Sequence, residues 1–262
     1  MEFRLLGPPE VAHEGRLLPL GGAKERGLLA FLLLNANRVV SRSALIDALW
    51  GENPPPTADH ALDVHVSRIR QALDPVGGRR LLRTRHGGYV LHVDPEDVDL
   101  RQFERLFEEG CRDLEAGEAA AAERKLEAAL RLCRGSPFAG LSEEPFAPPE
   151  IRRVEELELA ATEARLTAIL ALGRDAEVIP ELEALVEQHP LRERLRAQLM
   201  RALYRSGRQA EALQVYVDAR KLLLGELGLE PSRELQGLER EILRHDSTLN
   251  GAGVPSPRAS AF

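Results

Sequence analysis

Six arginines gather in one short stretch of this 262-residue chain, at positions 68, 70, 79, 80, 83 and 85. Between His60 and His92 only Asp63 and Asp74 oppose them, so the stretch carries a net charge of +4 in a chain whose net charge is −7. Guanidinium groups bind phosphate oxygens and, as bidentate donors, the edges of bases. The chemistry that this cluster can do is therefore the recognition of nucleic acid.

A helix must position the first two of these arginines. Apolar residues recur at helical spacing from Leu62 to Leu73, which predicts an amphipathic helix. Thr57 or Asp59 is its expected N-cap. The positions that then point away from the apolar face, or flank it, are His60, Val64, Ser67, Arg68, Arg70 and Gln71.

The other arginines border a predicted hairpin. A turn at residues 75–78 leads to a strand-like Leu81-Leu82, and residues 83–90 read RTRHGGYV, with two glycines at the bend. Such a helix fits the DNA major groove, and the hairpin arginines fit phosphates or the minor groove. The alternative is a core helix with a solvated basic face. For the helix alone we favour that alternative, whereas helix and basic hairpin together favour DNA.

Three elements precede this stretch. Short alternating runs in residues 2–20 predict a small antiparallel sheet, and Lys24–Asn37 predicts a first helix. Ser41 is a plausible N-cap for a second helix, Arg42–Trp50, in which Trp50 is expected to pack. The sequence Gly-Glu-Asn-Pro-Pro-Pro at 51–56 then predicts an extended connector.

After a boundary near residues 93–99 the chain reads as helices up to about Arg244. The string GRDAE at Gly173 returns as GRQAE at Gly207, 34 residues later, which is the tetratricopeptide (TPR) period. Gly117 marks a possible earlier hairpin. Residues 135–149 read as a loop that docks apolar side chains between helices; the less favoured alternative is a surface for a ligand or partner.

The charge distribution indicates partners, and the missing catalytic motifs argue against an enzyme. Residues 1–92 carry a net charge of +3 and the rest −10, which favours nucleic acid as partner of the first part and protein for the second. Catalytic motifs are missing, the histidines form no ligand cluster, and no cofactor or metal is expected.

Cys111 and Cys133 read as buried thiols of a cytoplasmic protein. The apolar run Leu28–Leu34 is too short for a membrane.

Particular motifs resemble known families. The string DVHVSRIR at Asp63, followed by Thr84 and by Gly87-Gly88-Tyr89, resembles the recognition helix and wing of OmpR/PhoB-type winged-helix domains. With the opening LLGPPEV and the helical remainder, nearly the whole chain resembles the SARP family of antibiotic-regulatory transcriptional activators. The resemblance also implies that Pro231-Ser232 starts the last helix.

The resemblance assigns roles to individual residues. It implies a base contact for Arg68, a thymine-methyl contact for Val64, and phosphate contacts for Arg70, Thr84, Arg85 and Tyr89. The expected DNA-binding set is completed by His60, Ser67 and Arg83, although many relatives carry a basic residue at the first two of these positions. Asp63 is expected to orient a neighbouring arginine, and His65 to pack. The connector Glu52, Asn53, Pro54, Pro55 and Pro56 is an expected RNA polymerase contact, or else a plain linker.

The expected fold class is mainly α with a small β component. It consists of an OmpR-type winged helix (1–93), a TPR-like all-α activator domain (99–247) and a disordered tail (248–262). We predict an activator in the cytoplasm, associated with the nucleoid, that binds direct repeats in double-stranded DNA as a homodimer and recruits RNA polymerase. Its target genes are expected to make an antibiotic or another secondary metabolite. The alternatives are a TPR-type interaction scaffold and a ligand-gated regulator.

Overall fold

The structure, a computed structural model, describes residues 1–246, so the predicted disordered tail lies outside the described residues. The chain divides into two compact units. The first comprises Met1–Leu106 and Ala128–Leu159, and the second comprises Phe107–Glu127 and the residues from Ala160 onward. The chain thus returns to the first unit after leaving it. The predicted boundary near residues 93–99 stays a prediction.

The predicted fold class is confirmed, because helices dominate and the strands form two small sheets. The elements before residue 98 are β1 Glu2–Arg4, β2 Glu10–His13, β3 Arg16–Leu17, α1 Ala23–Leu34, β4 Val40–Ser41, α2 Arg42–Trp50, α3 Ala58–Ala72, α4 Gly78–Leu81, β5 Leu82–Arg85 and β6 Gly88–Leu91. The later helices are α5 Asp99–Glu115, α6 Ala119–Leu130, α7 Ala147–Ala171, α8 Asp175–Gln188, α9 Glu193–Arg205, α10 Gln209–Leu227 and α11 Arg233–Leu243.

Helices α1, α2 and α3 pack against one another through the apolar faces that the periodicity predicts. Leu62, Val66 and Ile69 of α3 are buried. The second helix has its predicted bounds, since the Ser41 hydroxyl accepts the Ala44 N–H at 3.2 Å and caps it. The first helix was predicted too long: it ends at Leu34, and turns occupy the residues up to 37.

The wing is a three-stranded sheet in the order β4-β6-β5, with Thr84 opposite Tyr89. The Gly87-Gly88 pair has two separate functions. Gly87 makes the turn with φ +80°, whereas a Cβ on Gly88 would lie 2.0 Å from the Val40 carbonyl oxygen of β4. One expectation was wrong, because Leu81 ends the short helix α4 and the strand begins only at Leu82.

Strands β1, β2 and β3 form the amino-terminal sheet, whose end binds later parts of the chain. The buried Asp99 carboxylate accepts the N–H groups of Leu5 and Leu6 at 2.7 and 3.1 Å. The Leu6 and Leu5 carbonyls accept the N–H groups of Arg134 and Phe138. The backbone of the 135–149 loop therefore docks on this sheet. Its Phe146 ring packs edge-on against Phe31 of α1, with ring centres 5.3 Å apart, so the expected docking of apolar side chains on helices is seen at this residue.

The second unit contains the predicted helical repeat. Gly117, Gly173 and Gly207 have φ near +80°, and in each case the next residue donates its N–H to the carbonyl five residues earlier, at 2.8–3.2 Å. The same left-handed turn therefore separates α5 from α6, α7 from α8 and α9 from α10. Ser232 caps α11 as predicted.

Both cysteines are free thiols and partly buried. Between residues 1 and 246, no helix has the length and apolar character that crossing a membrane requires.

Candidate nucleic-acid interface

Helix α3 presents a mostly polar face to solvent. His60, Ser67 and Arg68 are exposed on it, and Val64 and Arg70 are partly buried. The opposite face packs on α1 and α2. Because only one face of the helix is covered, the other can enter a groove about 12 Å wide, such as the DNA major groove.

Arg42, the first residue of α2, is a central residue that the sequence reasoning missed. Its guanidinium donates to the carboxylates of Asp59 and Asp63 at 3.0 and 2.7 Å, and to the Tyr89 hydroxyl at 2.9 Å. Arg42 thus ties α2 to the first turns of α3 and to β6. Asp63 orients an arginine as expected, but the partner lies 21 residues away along the chain, where no local pattern indicates it.

These contacts also change the expected start of α3. Thr57 occupies the N-cap position, yet its side chain accepts no backbone N–H. Asp59 binds Arg42 through its carboxylate and through its backbone carbonyl. The first turn of α3 is therefore held by an arginine from another helix rather than by a side-chain cap.

Tyr89 lies differently from the phosphate-contacting position that the resemblance implied. Its side chain is only 4% exposed, and its hydroxyl donates to Asp63 Oδ1 at 2.5 Å. Burial raises the pKa of this phenol, while the hydrogen bond from Arg42 lowers the pKa of Asp63. Tyr89 is therefore a neutral donor to an ionised carboxylate, and it holds the wing against α3.

A basic cleft of about 740 Å³ opens between the second half of α3 and the wing. Its lining residues are Ser67, Arg70, Gln71, Asp74, Arg79, Arg83, Thr84 and Arg85. Arg70 is fixed there, since it donates to the Leu82 carbonyl and the Thr84 hydroxyl, both at 2.9 Å. Within residues 1–246 the guanidinium groups of Arg79 and Arg85 have no hydrogen-bond or carboxylate partner. Their charges are thus available to an external anion.

Arg68 lies on a different flank of α3 and is anchored by Glu25 of α1. Arg68 Nη1 donates to Glu25 Oε1 at 2.8 Å, and His65 Nδ1 lies 3.1 Å from the same oxygen. Burial raises the pKa of Glu25, but the hydrogen bonds from Arg68 and His65 more than offset this and lower the pKa to about 2. The partly buried His65 packs as expected, whereas its partner Glu25 was not predicted.

The connector between α2 and α3 is largely exposed. Glu52, Asn53, Pro54 and Pro56 are exposed, and Pro55 is partly buried. The residue before them, Gly51, lies so close to Pro145 that an added Cβ would be 3.2 Å from that ring. The start of the connector is therefore packed, and its middle is open to solvent.

Lys24 fixes the end of the helix that leads into this connector. Its ammonium donates to the Leu49 carbonyl and to the buried Glu144 carboxylate, the latter at 2.8 Å. The same ammonium lies 5.6 Å from the centre of the Trp50 ring. Trp50 is partly buried and packs, as expected.

Two protein families match consecutive parts of the chain. Residues 19–91 match the family described as Transcriptional regulatory protein, C terminal. Residues 98–243 match the Bacterial transcriptional activator domain. The first match contains α3 and the wing, and the second contains the helical repeat.

Curated relatives extend the similarity over the chain. Regulatory protein DnrI of Streptomyces peucetius is 39% identical over 268 residues, which cover 100% of this chain and 98% of DnrI. Regulatory protein AfsR of Streptomyces griseus is 41% identical over 258 residues, covering 98% of this chain and 26% of AfsR. The chain thus spans about a quarter of the second relative.

A solved structure has the same fold. The structure of Mycobacterium tuberculosis EmbR in complex with a low affinity phosphopeptide gives a TM-score of 0.90 at 37% identity. The similarity covers 93% of this chain and 65% of the EmbR chain.

Proposed function

This chain belongs to the SARP family of transcriptional activators, and from that premise we propose that it reads direct repeats in promoter DNA through α3 and the wing. Helix α3 enters the major groove and presents Arg68, Val64, Ser67 and His60 to base edges. Arg70, Arg83, Thr84 and Arg85 bind phosphates, with Arg79 as an addition to the residues predicted from the sequence. Tyr89 acts by holding the wing in place. DNA as the target places the protein in the cytoplasm, at the nucleoid.

The observation that carries this proposal is the pair of unpartnered guanidinium groups in the cleft beside α3. Arginines without a carboxylate partner keep their full charge for an external anion, and neutralising DNA phosphates releases condensed counterions. Arg79 and Arg85 lie with Arg70 around one concave surface. A curved, positively charged surface next to an exposed helix fits a phosphate backbone that flanks an open groove.

The exposed connector supports the second part of the proposal, which is recruitment of RNA polymerase. Residues Glu52–Pro56 join the end of α2, where Trp50 is packed, to the first turn of α3. Consecutive prolines are stiff, so the exposed side chains of Glu52, Pro54 and Pro56 are presented to a partner with little conformational freedom to lose.

Occupancy of two adjacent sites completes the proposal. A single α3 and wing bury a small DNA surface, so one protomer binds weakly. Two protomers on tandem repeats, held together as a homodimer, raise the effective concentration of the second site. By similarity to DnrI and other regulators of the family, the promoters control antibiotic or other secondary-metabolite genes.

To test the proposal, sheared DNA from the source organism is incubated with the purified protein at moderate salt. The bound fragments are then isolated and sequenced. Enriched tandem repeats spaced by about one helical turn would support the proposal and identify the regulated genes. Uniform binding that salt abolishes, without a common motif, would overturn it. Glu52→Ala combined with Asn53→Ala changes only exposed side chains of the connector and then separates the two activities, because promoter binding should persist while transcription by added polymerase falls.

A further inference from the structure

Glu25 connects the amino terminus of α1 to the exposed side of α3. Its Oε2 accepts the backbone N–H of Gly22 at 3.1 Å, which is the carboxylate half of a capping box at the start of α1. Its Oε1 accepts from Arg68 at 2.8 Å. Glu25 is 5% exposed, which means that its position is set by the interior of the first unit.

The contact leaves one edge of the Arg68 guanidinium available. Within the described chain, Nη1 is the atom that donates to a protein acceptor, and the arginine side chain is 63% exposed. The Nε and Nη2 atoms can therefore present two parallel N–H groups to solvent. That geometry fits the O6 and N7 acceptors of guanine in the major groove.

His65 makes the Glu25 position difficult to change. Its Nδ1 lies 3.1 Å from Glu25 Oε1, and its ring lies 6.1 Å from the Trp50 ring. Leaving a buried carboxylate without its hydrogen-bond donors is costly. The Glu25 side chain therefore stays in place when Arg68 moves. Arg68 is thus held before DNA arrives, unlike Arg79 and Arg85, and it loses less conformational entropy on binding.

We propose that Glu25 is a specificity-determining positioning residue, which holds Arg68 so that the guanidinium reads one guanine in each half-site. This inference rests on the proposed contact of α3 with DNA. A purely structural role for the Glu25–Arg68 pair would instead make its removal change stability and leave base preference unchanged.

The test compares the wild-type chain with Glu25→Gln, Arg68→Ala and the double variant. Each is titrated against an operator panel in which every base pair is replaced in turn. Arg68→Ala should reduce the preference at one base pair of each half-site by about ten-fold, the usual scale for a bidentate contact. Glu25→Gln should reduce the preference at that same base pair, and the double variant should lose no more than Arg68→Ala alone.

Glu10→Gln is the matched control, because Glu10 is a carboxylate of the same unit whose partners are Arg4 and Arg134 rather than α3. It should leave the whole preference profile unchanged. If Glu25→Gln does not fold, Glu25→Asp replaces it, since the shorter side chain keeps the charge but moves the anchor. A partial loss at the same base pair is then expected.

A folded Glu25 variant that binds the operator with every preference unchanged, or with all positions weakened equally, would overturn the inference. A wild-type chain that selects no operator at all would overturn the proposed function as well. The two failures are therefore distinguishable in one data set.

Discussion

Arginines have opposite surroundings in the stretch from α7 to α10 and in the cleft beside the wing. In the second unit every arginine from Arg165 to Arg220, except Arg196, lies within 4.0 Å of a carboxylate oxygen. One such ion pair occurs at equivalent positions of the two repeats, as Arg174–Glu177 and as Arg208–Glu211. In the cleft beside the wing, Arg79 and Arg85 have no carboxylate partner within residues 1–246.

The difference shows that pairing, more than composition, decides which charges act on a distant partner. A guanidinium beside a carboxylate contributes little field beyond the pair, and exposed pairs of this kind contribute only about 0–1 kcal/mol to stability. An unpaired guanidinium contributes its full charge. The net charge of each half of the chain indicates this contrast only roughly, because it counts paired and unpaired arginines alike.

The largest effect on DNA affinity should come from removing Arg68, the proposed base contact, together with the unpaired Arg85. We expect Arg68→Ala combined with Arg85→Ala to weaken operator binding by roughly 100-fold or more, because one base contact and one phosphate contact are lost. Fluorescence anisotropy measures the affinity, and circular dichroism checks the fold. The paired arginines of the second unit supply the control, since Arg208→Ala with Arg220→Ala removes the same charge. An equal loss in that control would mean that net charge alone drives binding.

Carboxylates extend the comparison to pH. The folded-state pKa of Glu25 is lowered from its ordinary 4.5 to about 2, so its stabilising contribution is complete above pH 4.5 and disappears as the pH falls toward 2. That contribution to the free energy of unfolding is roughly 3 kcal/mol, because each unit of difference between the folded and unfolded pKa is worth about 1.4 kcal/mol. Urea unfolding between pH 7 and pH 3 should therefore show a weaker pH dependence for Glu25→Gln than for the wild-type chain.

Glu177 of the second unit is the exposed counterpart for this measurement. Its pKa is also lowered, mainly by the hydrogen bond from Arg174, but solvent screens the pair. We expect Glu177→Gln to follow the wild-type pH dependence. If Glu25→Gln and Glu177→Gln behaved alike, burial would not distinguish the two carboxylates.

The hydroxyl of Tyr89 should have a smaller effect. Tyr89→Phe removes a hydrogen bond to Asp63 and an acceptor for Arg42, which we expect to lower the free energy of unfolding by about 1–1.5 kcal/mol. Amide hydrogen exchange on β5 and β6 should become faster. Tyr204→Phe is the matched change in the second unit, where the partly buried phenol should be replaceable without loss. A Tyr89→Phe variant with unchanged exchange would contradict the assigned role of Tyr89.

The smallest effect should come from Arg79 alone. Arg79→Ala is expected to weaken binding to operator and unrelated DNA equally, and to reduce the slope of log affinity against log salt by about 0.9, the value for one phosphate contact. Titrations at four salt concentrations measure that slope. A selective loss on operator DNA would instead assign Arg79 to base reading.

Local patterns predicted much of this architecture. The bounds of α2, its Ser41 cap, the wing hairpin and the 34-residue repeat all depend on neighbours within about one turn or one hairpin, so periodicity and turn residues suffice to find them. The same reasoning placed α1 too far toward Asn37 and Leu81 in a strand, because element ends depend on packing.

The sequence by itself determined which residue types face outward on α3 and how charge is divided along the chain. Only the tertiary structure decided which of those charges are bound and which are free. Arg42 meets Asp63, Glu25 meets Arg68, and Phe138 returns to Leu5 across 21, 43 and 133 residues of chain. Contacts at such separations follow from how whole elements pack, and no periodicity within an element records them.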